Sequence, residues 1–80
     1  MKIYVGNLPY AVDDDRLRAI FGAFGEPVSA AVVVDRGNGR SKGYGFVEMS
    51  DDAARKAILG LNRTQLDGRT IWVNEARTKT

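Results

Sequence analysis

The chain of 80 residues contains no cysteine, no histidine and only two prolines. Without cysteine there is no disulfide and no thiolate nucleophile, and the lack of both residue types removes the usual zinc ligands and imidazole catalysis. No apolar run approaches the roughly 18 residues of a membrane span, and a strand-like pattern starts directly after Met1. We therefore expect a soluble, intracellular protein with no secretory signal, no membrane partner, no metal and no cofactor.

The residues that are present suit one folded domain. Hydrophobic residues make up 44% of the chain, and 80 residues leave room for one modest core. We expect a single domain over residues 1–77, followed by a short basic tail at 78–80, and we expect it to be a monomer.

Charge is separated along the chain, although the formal net charge is only +2. Arg36, Arg40 and Lys42 lie in a stretch that contains no acid. The acidic residues gather at 13–15 and 51–52, ahead of two helical patterns, where carboxylates suit helix N-termini. The separation predicts a basic edge that favours an anionic partner.

The stretch 42–49 (KGYGFVEM) predicts a strand with two different faces. Strand side chains alternate, so Tyr44 and Phe46 share one face while Val47 and Met49 share the other. Only the aliphatic face resembles a core. Two rings beside basic residues suit a wet surface that offers flat π-faces to single-stranded nucleic acid.

Aromatic residues also favour strands for packing reasons alone, so the pair could simply belong to the core. Two features count against that interpretation. The opposite face of the same strand already supplies aliphatic side chains, and a second stretch, 3–8 (IYVGNL), turns Tyr4 away from Ile3 and Val5.

These two stretches resemble the paired ribonucleoprotein motifs of the RNA-recognition-motif family. The stretch 3–8 matches the six-residue motif throughout. The stretch 42–49 matches the basic-Gly-aromatic-Gly-aromatic-aliphatic run of the eight-residue motif and departs at Met49, where an aromatic residue is usual. The resemblance covers nearly the whole chain and is closest to the small single-domain bacterial and glycine-rich RNA-binding proteins. It implies single-stranded RNA as the partner, and the bacterial type implies a cytoplasmic location.

The resemblance also implies roles for individual residues. Tyr4 and Phe46 would each stack under a base, Tyr44 would lie between two riboses, and Lys42 would contact a backbone phosphate.

The resemblance also implies roles for four residues outside the two motifs, although the sequence pattern supports these roles less. Outward residues of the last strand, Trp72 and Asn74, would read base edges, and Arg77 would close over the ligand. Arg40 would contact phosphate. An exposed tryptophan could equally pack on a sheet edge, and loop arginines are often only solvated.

Two glycines alternate with the rings of the central strand. Gly43 and Gly45 would keep bulk away from the rings and allow the ligand to approach closely. The alternative is that they are ordinary strand glycines at a bulge or a packing contact.

The order of elements predicts the fold. In the first half of the chain we expect a strand at 2–8, a helix with the apolar stripe Leu17, Ile20, Phe21 and Phe24, and a strand at 28–34. A turn at 35–40 leads to the central strand, which is followed by a second helix with Ala54, Ala57, Ile58 and Leu61. A polar loop at 62–68 and a last strand at 69–76 complete the order. A β-α-β-β-α-β order with right-handed crossovers gives an α+β, ferredoxin-like sandwich. Its four-stranded antiparallel sheet carries both helices on one face and leaves the aromatic face uncovered.

Three other functions compete with RNA binding. An enzyme would have to rely on carboxylates, arginines and amides, none of which recurs at a telling spacing, and the glycines do not form a phosphate-cradling loop. The exposed rings could instead capture a peptide, or bind single-stranded DNA by the same stacking. Intact aromatic residues at all three motif positions favour RNA over a peptide, and the lack of a catalytic constellation predicts no enzymatic activity.

Overall fold

The computed structural model describes residues 1–76. Its elements are β1 (Lys2–Gly6), α1 (Asp14–Gly22), β2 (Ser29–Val34), β3 (Ser41–Glu48), α2 (Asp51–Leu61), β4 (Gln65–Leu66), β5 (Arg69–Thr70) and β6 (Trp72–Glu75).

The main sheet has four strands in the order β2-β3-β1-β6, and every neighbouring pair is antiparallel. The two motif strands, β1 and β3, are therefore central and adjacent, as the sequence predicts. Both helices contribute buried side chains to the same core as the inward residues of the sheet. The predicted ferredoxin-like α+β architecture is confirmed.

The core lies between the sheet and the helices. Its fully buried members from the sheet include Ile3, Val5, Val47 and Val73, which alternate with the outward aromatic positions. Small alanines on α2 allow that helix to approach the sheet closely, since Ala54 and Ala57 are themselves buried. The alternation buries one face of each motif strand and leaves the rings of the other face half-buried.

Two members of the predicted apolar stripe, Ile20 and Phe24, are less buried than their spacing suggests. Phe21 is fully buried, but Phe24 lies beyond the end of α1 and is only half-buried. The ring of Phe24 packs on Gly60 of α2, where a Cβ would come within 2.7 Å of it. Phe24 thus packs at the contact between the two helices, at the margin of the core.

The helix N-termini differ in how they are capped. Asp13 caps α1, because its Oδ1 accepts a hydrogen bond from the Arg16 backbone N–H at 2.8 Å. Ser50 holds the N-cap position of α2, but its side chain makes no capping hydrogen bond. The start of α2 is supported instead by Asp51 and Asp52 in its first turn, where carboxylates oppose the helix dipole.

The predicted polar loop and last strand are partly wrong. Residues 62–68 contain strand β4, and the predicted strand 69–76 is divided into β5 and β6. β4 and β5 pair as a small hairpin around Asp67 and Gly68, both of which have positive φ, 51° and 83°. Positive φ at both central residues is typical of the type I′ hairpin turn that Asp-Gly favours.

Each lateral edge of the sheet makes hydrogen bonds with another part of the chain. On the β2 side the strand register shifts between Val32 and Val34, and the Val32 N–H donates to Oδ1 of Asp14 at 2.7 Å. On the β6 side, Oδ1 of Asn62 accepts from the Val73 N–H at 2.9 Å. Just before β6, Ile71 donates its N–H to the carbonyl of Thr64 at 2.9 Å.

The described part of the chain contains no helix that is long and apolar enough to cross a membrane.

Candidate nucleic-acid interface

Two rows of side chains cross the uncovered face of the sheet. In one row Phe46 of β3 lies opposite Tyr4 of β1, which in turn lies opposite Asn74 of β6. In the next row Tyr44 and Trp72 lie on either side of Gly6. The alternation predicted from the sequence is therefore correct, and five predicted site residues share one surface.

The three motif rings form a cluster whose members do not stack on one another. Tyr4 lies 5.9 Å from Tyr44 and 5.8 Å from Phe46, centroid to centroid, and Tyr44 lies 6.2 Å from Phe46. Tyr44 and Phe46 are perpendicular, at 90°, and Tyr4 is inclined to both of them. Edge contacts hold the rings in place and keep π-faces available for bases.

Basic side chains border this cluster on two sides. Lys42 and Arg40 are exposed and line a groove beside Tyr44 and the β2–β3 turn. Lys2, which was not predicted, places its Nζ 4.8 Å from the centroid of the Phe46 ring. Lys2 could have been found by alternation, because it stands two residues before Tyr4 on the same face.

The structure places two of the three further predicted site residues at the aromatic face and does not describe the third. Trp72 is on the aromatic face, 45% exposed, with the Arg63 guanidinium 5.9 Å from its ring. Asn74 is exposed beside Tyr4 and Phe46. Arg77 lies outside the described residues.

The glycines of the motif strands serve the backbone and the rings in different ways. A Cβ on the buried Gly45 would come 2.5 Å from the Ala31 carbonyl oxygen of the neighbouring strand, beside the irregular register of β2. Gly45 is therefore a bulge and packing glycine, which was the alternative to a ligand-approach role. Gly6 makes room for an aromatic ring, because a Cβ there would lie 2.8 Å from Cε2 of Tyr4.

Gly43 both adopts a backbone conformation that favours glycine and leaves room for an aromatic ring. Its φ of +86° is in the left-handed region that favours glycine, and a Cβ there would lie 3.4 Å from Cε1 of Tyr10. The carbonyl of Gly43 accepts a hydrogen bond from the Leu8 N–H at 2.8 Å. The first glycine of the eight-residue motif thus joins β3 to the segment that follows β1.

Sequence reasoning missed a second group of residues at this end of the sheet. Arg69 of the hairpin donates to Oδ1 of Asn7 at 2.6 Å, and its guanidinium lies 5.6 Å from the ring centroid of Tyr10. Nδ2 of Asn7 donates to the Thr70 carbonyl at 2.6 Å. The residues come from segments more than 55 positions apart, so no local spacing links them; the one available signal is the hairpin dipeptide Asp67-Gly68.

The hairpin tip is fixed by an ion pair with α1. Arg16 donates two hydrogen bonds to the carboxylate of Asp67, at 2.6 Å and 2.7 Å. This bidentate hydrogen bonding holds the pKa of Asp67 below its usual range, and the same bonding raises the pKa of Arg16 above its ordinary value.

The lowered pKa of Asp67 predicts a pH-dependent contribution to stability. The contribution is fully present above the unfolded-state pKa of about 3.9 and is lost as the pH falls through the lower folded-state value. Asp67→Asn should therefore lower the melting temperature at neutral pH, and its difference from the unmodified chain should vanish in strong acid. Thermal melts across this range measure the effect.

Glu26→Gln is the control for that experiment. Glu26 is paired with Arg18 through a single longer contact of 3.6 Å, so its removal should change the melting temperature less. A difference between the Asp67→Asn and unmodified proteins that stays constant in acid would contradict the role assigned to the carboxylate.

Comparison with known proteins identifies the arrangement. A family model described as RNA recognition motif matches residues 3–72. The chain belongs to the RNA recognition motif family.

Relatives of this RNA recognition motif are ribonucleoproteins and RNA-binding proteins. The chain is 52% identical over 79 residues to a chloroplastic 28 kDa ribonucleoprotein of Nicotiana sylvestris, covering 98% of the chain and 29% of that protein. Plant glycine-rich RNA-binding proteins match at 43% to 44% identity, as the resemblance implied. The chain spans about a quarter to a half of the length of the curated relatives it matches.

Solved structures agree with the fold. The crystal structure of RNA binding protein PG1 has a TM-score of 0.92 and 44% identity, covering 100% of this chain and 98% of that one. The Sxl-lethal protein in a protein/RNA complex has a TM-score of 0.88 and 35% identity, covering 94% of this chain and 47% of that one.

Family membership gives the class of function. The domain described here belongs to a family of single-stranded RNA-binding modules, and this family is not an enzyme family. Chloroplastic relatives are consistent with an intracellular location. Among residues 1–76, no three His, Cys, Asp or Glu side chains are grouped so that they could hold a metal ion.

Proposed function

We propose that the uncovered sheet face binds single-stranded RNA by stacking one base on Tyr4 and one on Phe46, with Tyr44 between two riboses and Lys42 on a phosphate. The observation that carries this proposal is the cluster of three rings, 5.8 Å to 6.2 Å apart, on the face that the helices leave open. Tyr4 and Phe46 stand opposite each other on adjacent strands, about 4.8 Å apart in backbone spacing. That separation suits successive nucleotides whose bases have been unstacked from each other.

Lys2 is part of this proposal. Its ammonium group lies over the ring of Phe46, where a cation is attracted to the π-face. A base that stacks on Phe46 takes the place of that ammonium, and the flexible lysine side chain then pairs with a phosphate. The charge of Lys2 thus makes a favourable contact with the Phe46 ring in the free protein and with a phosphate in the RNA complex.

The last strand supplies groups that can read base edges. The Asn74 side-chain amide has both donors and acceptors, and it stands opposite Tyr4 at the margin of the ring cluster. Trp72 offers a further ring beside Tyr44. We assign Asn74 to edge recognition, Trp72 to the rim of the ring cluster, and Arg40 and Arg77 to phosphate contacts.

The same rings would accept single-stranded DNA, because every base has a π-face. RNA is distinguished by its 2′-hydroxyl, which can donate to and accept from a polar side chain. Titrating the domain with one sequence in both forms separates the two partners. Preference for the DNA form would reassign the ligand, and binding of an aromatic-rich peptide without any response to RNA at millimolar concentration would replace the proposal.

Salt dependence tests the phosphate contacts. Two stacked bases and a few phosphates, less the cost of ordering, predict about micromolar affinity for a short single-stranded RNA, or roughly −8 kcal/mol. With three or four neutralised phosphates, log K should fall against log salt with a slope of about −2 to −3. Lys42→Ala should make that slope shallower by about 0.7. Tryptophan fluorescence titrations at several salt concentrations measure it.

Lys56→Ala is the matched control for the salt experiment. Lys56 is an exposed lysine on α2, on the side of the domain away from the rings, and its removal should leave the slope unchanged. Equal slopes for the Lys42→Ala and Lys56→Ala proteins would mean that Lys42 is only solvated.

We also propose that residues 1–77 are one RNA-binding domain with a short basic tail at 78–80, and that the domain acts as a monomer in the cytoplasm. Monomer behaviour is supported by the positions of the exposed aliphatic residues, since Val28 and Val34 stand just before and at the end of β2 while Leu59 lies on α2. The lack of cysteine suits a reducing compartment. A dimer mass in light scattering would contradict the monomer.

A further inference from the structure

Tyr10 is a large ring that neither motif contains, yet it is 68% exposed. It lies in the segment between β1 and α1, where no core packing requires an aromatic residue. Its edge lies beside Gly43, where a Cβ would come within 3.4 Å of Cε1 of the ring, and the Arg69 guanidinium lies 5.6 Å from the ring centroid. The ring is therefore held at the surface rather than left loose in a loop.

A depression of about 480 Å³ connects Tyr10 with the uncovered sheet face. Its lining includes four aromatic rings and two cations: Tyr4, Tyr10, Tyr44, Trp72, Lys42 and Arg69. No carboxylate lines it. A surface of rings and positive charge with no negative charge has the chemistry that a nucleotide requires, since its base stacks and its phosphate seeks a cation.

Arg69 is placed for this purpose by two contacts. Oδ1 of Asn7 accepts one of its N–H groups at 2.6 Å, and the hairpin that carries it is bound to α1 through Asp67. Asn7 itself has a φ of 58°, a conformation that asparagine tolerates better than most residues. A guanidinium has five N–H donors, so one bond to Asn7 leaves others for a phosphate.

We propose that Tyr10, Lys42 and Arg69 form a further nucleotide subsite, at which a base stacks on Tyr10 while Lys42 and Arg69 hold its phosphate. This inference rests on the proposed RNA-binding face and extends it by one nucleotide past the motif rings, toward the β1–α1 segment. Lys42 and Tyr44 connect the two parts, because both line the depression while Tyr44 belongs to the motif cluster and Lys42 borders it.

Variants of Tyr10 test the subsite with a single-stranded oligouridylate of eight nucleotides as the probe. A lost stacking contact of about 1–3 kcal/mol corresponds to roughly 5- to 150-fold weaker binding, and that loss is expected for Tyr10→Ala. Tyr10→Phe keeps the ring and should bind as the unmodified protein does. Since Tyr10 is exposed, the melting temperature of both variants should be unchanged. Quenching of Trp72, the single tryptophan, reports occupation of the depression.

Arg69→Gln provides an independent measurement. It removes the charge and should make the slope of log K against log salt shallower by about 0.7. Leu59→Ala, at a position 85% exposed on α2, is the control and should change neither affinity nor slope.

The outcomes separate this inference from the function on which it rests. If Phe46→Ala weakens binding while Tyr10→Ala and Arg69→Gln bind with unchanged affinity and slope, the subsite is wrong and the sheet platform stands. If the unmodified protein does not bind the oligonucleotide, both are wrong. If Tyr10→Ala and Tyr10→Phe lose affinity equally, stacking on the ring is refuted.

Discussion

Phe46→Ala should weaken single-stranded RNA binding by about 1–3 kcal/mol, or roughly 5- to 150-fold. The ring stands opposite Tyr4 on the uncovered face, and its removal takes away one of the two proposed stacking positions. Phe46 is half-buried against the neighbouring rings, so we expect a modest loss of stability as well. Titration with a short RNA and a thermal melt on the same sample measure both effects.

Phe46→Tyr is the control that retains the stacking surface. It should keep most of the affinity, because a hydroxyl at the ring edge leaves the π-face intact. An equal loss in Phe46→Tyr and Phe46→Ala would show that the π-face of residue 46 is not where the base binds.

Phe21→Ala should lower the free energy of unfolding by about 3–5 kcal/mol. Phe21 is fully buried between α1 and the sheet, and the substitution leaves a cavity that the surrounding elements can fill only in part. A domain of this size has a stability of roughly 4–12 kcal/mol, so the variant loses a large share of it. Denaturant unfolding, followed by tryptophan fluorescence or circular dichroism, gives the difference.

Phe24→Ala sets the scale for that result. Since Phe24 is half-buried on Gly60, its truncation should cost clearly less than that of Phe21. The pattern of effects then distinguishes core from platform: Phe21→Ala is poorly folded, and Phe46→Ala is folded but binds weakly. A Phe46→Ala protein that melts as early as Phe21→Ala would place that ring in the core.

The face assignment could be made from the sequence because it depends on a local rule. Alternation along β1 and β3 places Tyr4, Tyr44 and Phe46 on one side, and a regular strand permits no other arrangement. The fold followed from the order of periodic segments, since each helix has an apolar stripe and each central strand has one aliphatic face. The two motifs predicted membership of the RNA recognition motif family, and the match of the family model to residues 3–72 confirms it.

The errors arose where a local pattern was short or where an interaction joined distant segments. The hairpin was missed because β4 and β5 have only two residues each, too few for any period to show. Phe24 has helical spacing, but the helix ends at Gly22, so its ring falls outside the stripe. Asp67-Gly68 is the one local signal for the hairpin, and within a polar stretch it is equally typical of a loop.

Contacts around Tyr10 were beyond sequence reasoning for a different reason. Arg69 reaches Tyr10 only because β6 pairs with β1 and brings the hairpin beside the segment after β1. Gly45 had two interpretations, and only the register shift of β2 decides between them. Both depend on three-dimensional placement, which spacing along one chain does not encode.

The two occupied edges of the sheet restrict how other molecules can approach this domain. A foreign strand that tried to extend the sheet would meet the carboxylate of Asp14 at Val32 on one side, and Asn62 with the pairing at Thr64 on the other. The backbone N–H groups at these positions are already paired, so a second copy of the domain cannot use them to extend the sheet. The uncovered aromatic face, and not either lateral edge, is therefore the part of the sheet that is open to a ligand.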